Sequence, residues 1–168
     1  IHGDHVVVGA YGDSDNGFQS GSAHVFGRSE GAWTHQAKLL APDGQSEDYF
    51  GYSVGIHGDS VIAGAHGMVT IESPFGSAHV FVRTGVDWEH QAKLVSPEGV
   101  SGDQFGESVG IFGDNAVVGS HWDIEGGPGS GAAHVFVRNG SDWQHQAKLL
   151  APDAKVDDYF GSAVAIHG

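Results

Sequence analysis

Cysteine is absent from this 168-residue chain, which removes disulfides, thiolate metal sites and cysteine nucleophiles together. Basic residues are scarce: 7 stand against 21 acidic ones, a formal net charge of −14. Phosphate neutralisation needs clustered positive charge, so nucleic acid and anionic membrane surfaces are poor partners. No apolar run approaches the roughly 20 residues of a membrane helix, so membrane insertion is not expected. The chain opens on Ile1 with neither an initiator methionine nor a signal-peptide pattern, which reads as a processed product or a segment of something longer. Glycine, by contrast, is abundant, with 28 residues against an average usage of roughly 7%.

The chain is organised by internal repetition. Ile1-His2-Gly3-Asp4 returns as Ile56-His57-Gly58-Asp59 and as Ile111-Phe112-Gly113-Asp114, and a fourth copy begins at Ile166-His167-Gly168. Every offset is 55 residues. His24-Val25-Phe26, Trp33, Gln36 to Leu39 and Phe50-Gly51 all recur at the same period. The units are 1–55, 56–110 and 111–165, with 166–168 starting another. They form one domain without linkers.

Each unit divides into four strand-like runs: Phe50–Ile56 (copied at Phe105–Ile111), Ser60–Ala65, Gly76–Arg83 and Trp88–Val95. Val61-Ile62-Ala63-Gly64-Ala65 is apolar at every position, the pattern of a strand covered on both faces. Gly51, Ser53 and Gly55 alternate with large residues and imply the close approach of another backbone. No apolar 3.6-residue period survives the glycine spacing, so no helix is expected. Four antiparallel strands, repeated, describe an all-β propeller blade, with the tryptophans filling the wedge where blades diverge. A parallel β-helix is the competing repeat fold, but its coils are much shorter than these units.

The pairing of Phe50-Gly51 with Ala63-Gly64-Ala65, and of Phe105-Gly106 with Val117-Val118-Gly119-Ser120, resembles the FG-GAP repeat of integrin α-subunit propellers. The Trp-x-x-Gln-Ala-Lys-Leu runs look like the bacterial and environmental branch of that family. The resemblance implies a secreted or cell-surface propeller used for adhesion or recognition, with no inherent chemistry. Integrin-type repeats commonly carry a calcium loop, Asp-x-Asp-Gly-Asp-Gly, between the two motifs. Here that place holds His57-Gly58-Asp59 or Phe112-Gly113-Asp114, and one carboxylate cannot supply the six to eight oxygens that calcium takes. A better calcium candidate is Asp13-Ser14-Asp15-Asn16-Gly17, with Asp13, Asp15 and Asn16 as ligands; as a plain solvated turn the same residues also make sense. Asp123 and Glu125 are a weaker copy. No other cofactor is expected.

Nine of the twelve histidines fall at repeat positions. A catalytic group is needed once per site, so recurring histidines read as scaffold. No Gly-x-Ser-x-Gly elbow is present, and the acidic pairs Glu47-Asp48 and Asp157-Asp158 read as a solvated rim. Asn139-Gly140-Ser141 matches a glycosylation sequon.

While the strands repeat, three loops differ in every unit: Tyr11–Ser20, His66–Phe75 and His121–Ser130. Tyr11, Phe18, His66, Met68, His121 and Trp122 give that face anchors of the kind interface hot spots use. The expected function is non-enzymatic recognition of a protein or glycan through these loops. The alternative is a propeller hydrolase or lyase with a site in the axial channel, which would need polar residues where Gly51, Ser53 and Gly55 stand. Three blades fall short of the four to eight of closed propellers. Two chains joined head to tail would make six, so the expectation is a homodimer, or else the remainder of a longer propeller chain.

Overall fold

A computed structural model describes residues 1–67, 76–99 and 102–168. Among them are eleven strands and no helix, so none long and apolar enough to cross a membrane. The strands are β1 (His5–Ala10), β2 (Ser22–Ser29), β3 (Ala32–Leu39), β4 (Ser53–His57), β5 (Ser60–Ala65), β6 (Ser77–Thr84), β7 (Asp87–Leu94), β8 (Val109–Phe112), β9 (Asn115–Ser120), β10 (Ala132–Asn139) and β11 (Asp142–Leu149). They form three antiparallel sheets in plain up-and-down order: β1-β2-β3, β4-β5-β6-β7 and β8-β9-β10-β11. The sheets pack in series and do not close on themselves.

The middle sheet explains the unbroken apolar run. All six residues of β5 are buried. Val61, Ala63 and Ala65 face a core shared with Val7, Val25 and Phe50 of the first unit. Ile62 faces the opposite way, into a core with Val118, Phe105 and Phe136. Side chains on a strand alternate between faces, so a strand with a sheet on either side must be apolar at every position.

The repeated Phe-Gly and Gly-Ala motifs meet across neighbouring sheets. A β-carbon on Gly9, Gly64 or Gly119 would overlap the carbonyl oxygen of Gly51, Gly106 or Gly161 respectively. Ser53 Oγ donates to the Gly106 carbonyl at 2.8 Å, and Ser108 Oγ to that of Gly161 at 2.6 Å. The expected backbone approach is therefore present.

The inner strands are shorter than the sequence suggests, beginning at Ser53 and Val109 instead of Phe50 and Phe105. Tyr49 and Gly51 have φ of +54° and +82°, a left-handed backbone that no strand accommodates. That kink turns Phe50 fully into the core. The run 160–166 is not a strand either. Phe160 bridges Gly131 and His167 lies beside Phe112, but among the described residues no strand ladders with this segment.

The recurring charged and ring residues are scaffold. Arg28, Arg83 and Arg138 pair with Asp4, Asp59 and Asp114 of their own units. His2, His57, Phe112 and His167 follow one another in ring contact. A β-bulge recurs after Val25, Val80 and Val135 and re-aims the glutamine of the next strand, as bulges do. Gln91 Oε1 thereby accepts from Trp143 Nε1 at 2.9 Å. Trp88 and Trp143 pack against the two cores, whereas Trp33, on the outer face of the first sheet, is exposed.

Candidate functional site

The variable loops leave the ends of β1, β5 and β9, which antiparallel pairing puts at the same end as the starts of β4 and β8. The connector 45–52 runs along the first loop, held by backbone bonds. Glu47 N donates to Phe18 O at 2.7 Å, Tyr49 N to Gln19 O at 3.1 Å and Phe50 N to Ser20 O at 3.0 Å. Residues 157–160 repeat the arrangement against 128–130.

This lacing gathers aromatic rings. Tyr11 lies 5.5 Å from Tyr52, tilted, and 6.2 Å from Tyr49, edge-on, while His66 stacks on Tyr49 at 5.5 Å and meets Tyr52 edge-on at 4.3 Å. With Gln19 these rings line a cavity of about 230 Å³. Tyr49 Oη donates to Gln19 Oε1 at 3.3 Å. Burial holds His66 below the usual histidine value, so it is neutral at neutral pH. A second ring group lies on the same face. Trp122 is 5.3 Å from Tyr159, and His121 is within 6 Å of both. His121 Nδ1 touches Glu107 Oε2, and burial holds His121 below the usual histidine value.

Tyr11 and His66 thus come together in one cluster, and His121 and Trp122 in another. Phe18 does not join either; it is 64% exposed and contributes its backbone carbonyl. Met68 lies outside the described residues, as does the rest of its loop from 68 to 75. Sequence reasoning missed Tyr49, Tyr52, Tyr159, Gln19 and Glu107. The available signal was Tyr49 and Tyr159 at one repeat position immediately before Phe-Gly. The neighbouring acidic pairs are turn formers: Asp48 accepts from Gln45 N, and Asp158 from Lys155 N.

The calcium candidate holds a different cation. Lys38 Nζ lies 2.7 Å from Asp13 Oδ2 and 2.6 Å from Asp15 Oδ2. The Lys38 hydrogen bond is the largest influence on Asp13 and brings its carboxyl down to about 2. Asn16 turns away, its Nδ2 donating to Ala41 O at 3.2 Å. The third unit repeats the pattern, with Lys148 between Asp123 and Glu125 at 2.8 and 2.7 Å. These three residues, with Glu98, Asp103 and Ile124, line a second cavity of about 230 Å³. Among the described residues no group of three or more histidines and carboxylates is arranged to hold a metal. Asp59, in the place of the integrin-type calcium loop, is engaged by Arg83.

Behind these loops, histidine pairs recur. His24–His35, His79–His90 and His134–His145 share Nδ1···Nε2 contacts of 3.0, 3.1 and 3.1 Å. Burial pushes His79 down to about 3 and His134 to about 4. Ser22 and Ser77 support the first two pairs through Nε2. The third unit has Ala132 there, and His134 Nε2 is without a hydrogen-bond partner among the described residues.

A family model described as FG-GAP repeat matches residues 1–26, 33–81, 88–136 and 143–168. Its gaps fall on the hairpins β2–β3, β6–β7 and β10–β11. No curated protein matches the chain significantly by sequence.

Proposed function

The chain belongs to the FG-GAP repeat family, and from that membership we propose a non-enzymatic recognition module of β-propeller type, secreted or at the cell surface, that binds a protein or glycan. One observation carries this reading: two aromatic clusters, Tyr11-Tyr49-Tyr52-His66 and His121-Trp122-Tyr159, lie at the same end of the sheets. Half-exposed tyrosine and tryptophan side chains supply rigid contact area with polar tips, the composition of binding hot spots. The scaffold absorbs six of the seven basic residues, in three Arg–Asp pairs and in Lys38, Lys93 and Lys148, which argues against a nucleic-acid partner.

The same membership supports reading each sheet as a blade. Among the described residues β1 has one unpaired edge, and 160–166 occupies the inner-strand place beside β8 with no strand laddered to it. An exposed edge is a template for pairing. In our reading, a segment like 160–166, from a second copy or from further blades, completes the first sheet; two copies make a six-bladed ring with two-fold symmetry. Light scattering on the 168-residue chain tests this: a two-copy mass supports the ring of two, and a stable monodisperse monomer overturns it.

The recognition reading is tested by panning the protein against extracellular proteins and glycans, then repeating with Trp122→Ala and Phe18→Ala. Trp122→Ala is expected to weaken binding by about tenfold or more, and Phe18→Ala far less. Binding to every captured ligand that survives Trp122→Ala, Tyr52→Ala and Phe18→Ala unchanged would sink the loop-face assignment.

A further inference from the structure

Resting on that recognition reading, we propose that the cavity of Tyr11, Gln19, Tyr49, Tyr52 and His66 is a subsite for one neutral sugar ring of a glycan. Four observations lead there. First, the lining is uncharged among the described residues: it contains no lysine, arginine or carboxylate, and burial keeps His66 neutral. In a chain of net charge −14, nothing in the lining offsets the repulsion of a uronate, sulfate or phosphate. Second, about 230 Å³ admits a single six-membered ring with its hydroxyls, below the roughly 300–1,000 Å³ of drug-sized pockets.

Third, Tyr11 and Tyr52 are 50% and 47% exposed and inclined at 57° to each other. Side by side with centroids 5.5 Å apart, they offer one joined apolar surface on which a C–H-rich side of a pyranose can lie, its hydroxyls left at the edges. Fourth, the polar groups are placed for hydroxyls. Gln19 Oε1 accepts from Tyr49 Oη, which fixes the amide and leaves both Nε2 hydrogens without a partner among the described residues. Gln19 and Tyr49 both hold left-handed φ, +53° and +54°, and are tied by the Tyr49 N to Gln19 O bond. The donor is therefore positioned before a ligand arrives, and preorganisation of this kind lowers the cost of binding.

The test is saturation-transfer NMR and titration calorimetry with five probes: neutral gluco-, galacto- and manno-configured oligosaccharides, an oligogalacturonate, and tetramethylammonium. At least one neutral series is expected to bind, and the oligogalacturonate is not. Tyr52→Ala should weaken that binding about tenfold or more, and Tyr52→Phe, which keeps the ring, much less. Gln19→Asn, which tolerates the left-handed backbone but shortens the amide, should weaken it several-fold. Three results overturn the proposal: no neutral sugar binds, Tyr52→Ala leaves sugar binding unchanged, or tetramethylammonium occupies the cavity and displaces the sugar. If no sugar binds but a captured protein ligand is lost in Trp122→Ala, the sugar subsite fails while the recognition reading stands.

Discussion

Gly64 on β5 and Gly106 at the head of the next inner strand are packed backbone to backbone, so closely that a β-carbon on Gly64 would overlap the Gly106 carbonyl oxygen. One glycine comes from each of the two repeated motifs, 42 residues apart in sequence. The contact ties the second sheet to the third, and Gly9–Gly51 and Gly119–Gly161 repeat it.

Gly64→Ala should therefore destabilise the protein. The obstacle is backbone, which cannot swing aside, and such overpacking costs about 1–3 kcal/mol or more. Gly12→Ala is the control, because nothing lies within 4 Å of its β-position and its φ is not positive. Urea unfolding should show a clear loss of midpoint for Gly64→Ala and a change within about 0.5 kcal/mol for Gly12→Ala. Equal midpoints would remove the packing argument.

Arg28 and Arg138 occupy the same repeat position with different surroundings. Both lie over a tryptophan, at 5.4 Å from Trp33 and 5.2 Å from Trp143. Arg138, however, is 16% exposed against 47% for Arg28, and it also donates to Ser60 Oγ at 3.1 Å and Gln91 Oε1 at 3.4 Å on the neighbouring sheet. Arg28→Ala should cost at most about 1 kcal/mol, as exposed pairs do. Arg138→Ala should cost about 1–2 kcal/mol more, since it strands buried acceptors. Thermal melts of the two variants decide the order.

Acid should weaken the fold well before the carboxylates titrate. An unfolded histidine takes up a proton near 6.5, whereas folded His79 and His134 resist until about 3 and 4 because burial disfavours their charged forms. Below 6.5 the unfolded state thus binds more protons, and stability rises with pH across the window from about 4 to 6.5. The slope is about 1.4 kcal/mol per pH unit for each such histidine, and the contribution is complete above 6.5. Unfolding measured at pH 7, 6 and 5 should fall accordingly, and His79→Gln should flatten the decline. A pH-independent midpoint over this range would contradict the burial of these rings.

Lys38 sets the titration of Asp13. Lys38→Met should raise the Asp13 carboxyl from about 2 toward the ordinary aspartate value of about 3.9, followed by carboxyl-carbon NMR across an acid titration. The same variant frees Asp13 and Asp15 from the ammonium between them, so calcium should bind more tightly to it than to the parent protein. A carboxyl midpoint unmoved by the substitution would show that Lys38 is not its cause.

Much of the fold was legible because repetition makes local pattern reliable. The run Val61 to Ala65 is apolar throughout, and a strand with a sheet on each face has no other solution; it is β5, between two cores. The crowded glycines announced a backbone contact, and the contact is there. The inner strands were drawn three or four residues too long, because period-two alternation at Phe50-Gly51-Tyr52 carries no sign of a left-handed turn.

The candidate site was half legible. Variation among loops singled out Tyr11, His66, His121 and Trp122, since sequence records where units differ. It did not single out Tyr49, Tyr52 and Tyr159, which belong to otherwise repeated stretches. By itself the sequence determined the period, most of the strands and the scaffold role of its recurring histidines, for each rests on residues within one unit or on strict recurrence. Only the tertiary structure decided which rings share a cavity and which cation sits between Asp13 and Asp15. The cavity joins Tyr11 to His66 across 55 residues, through a connector whose course depends on left-handed φ at Gln19 and Tyr49 and on backbone bonds to the neighbouring loop. The ammonium arrives from β3, on the far side of its sheet order, and no local pattern encodes that reach.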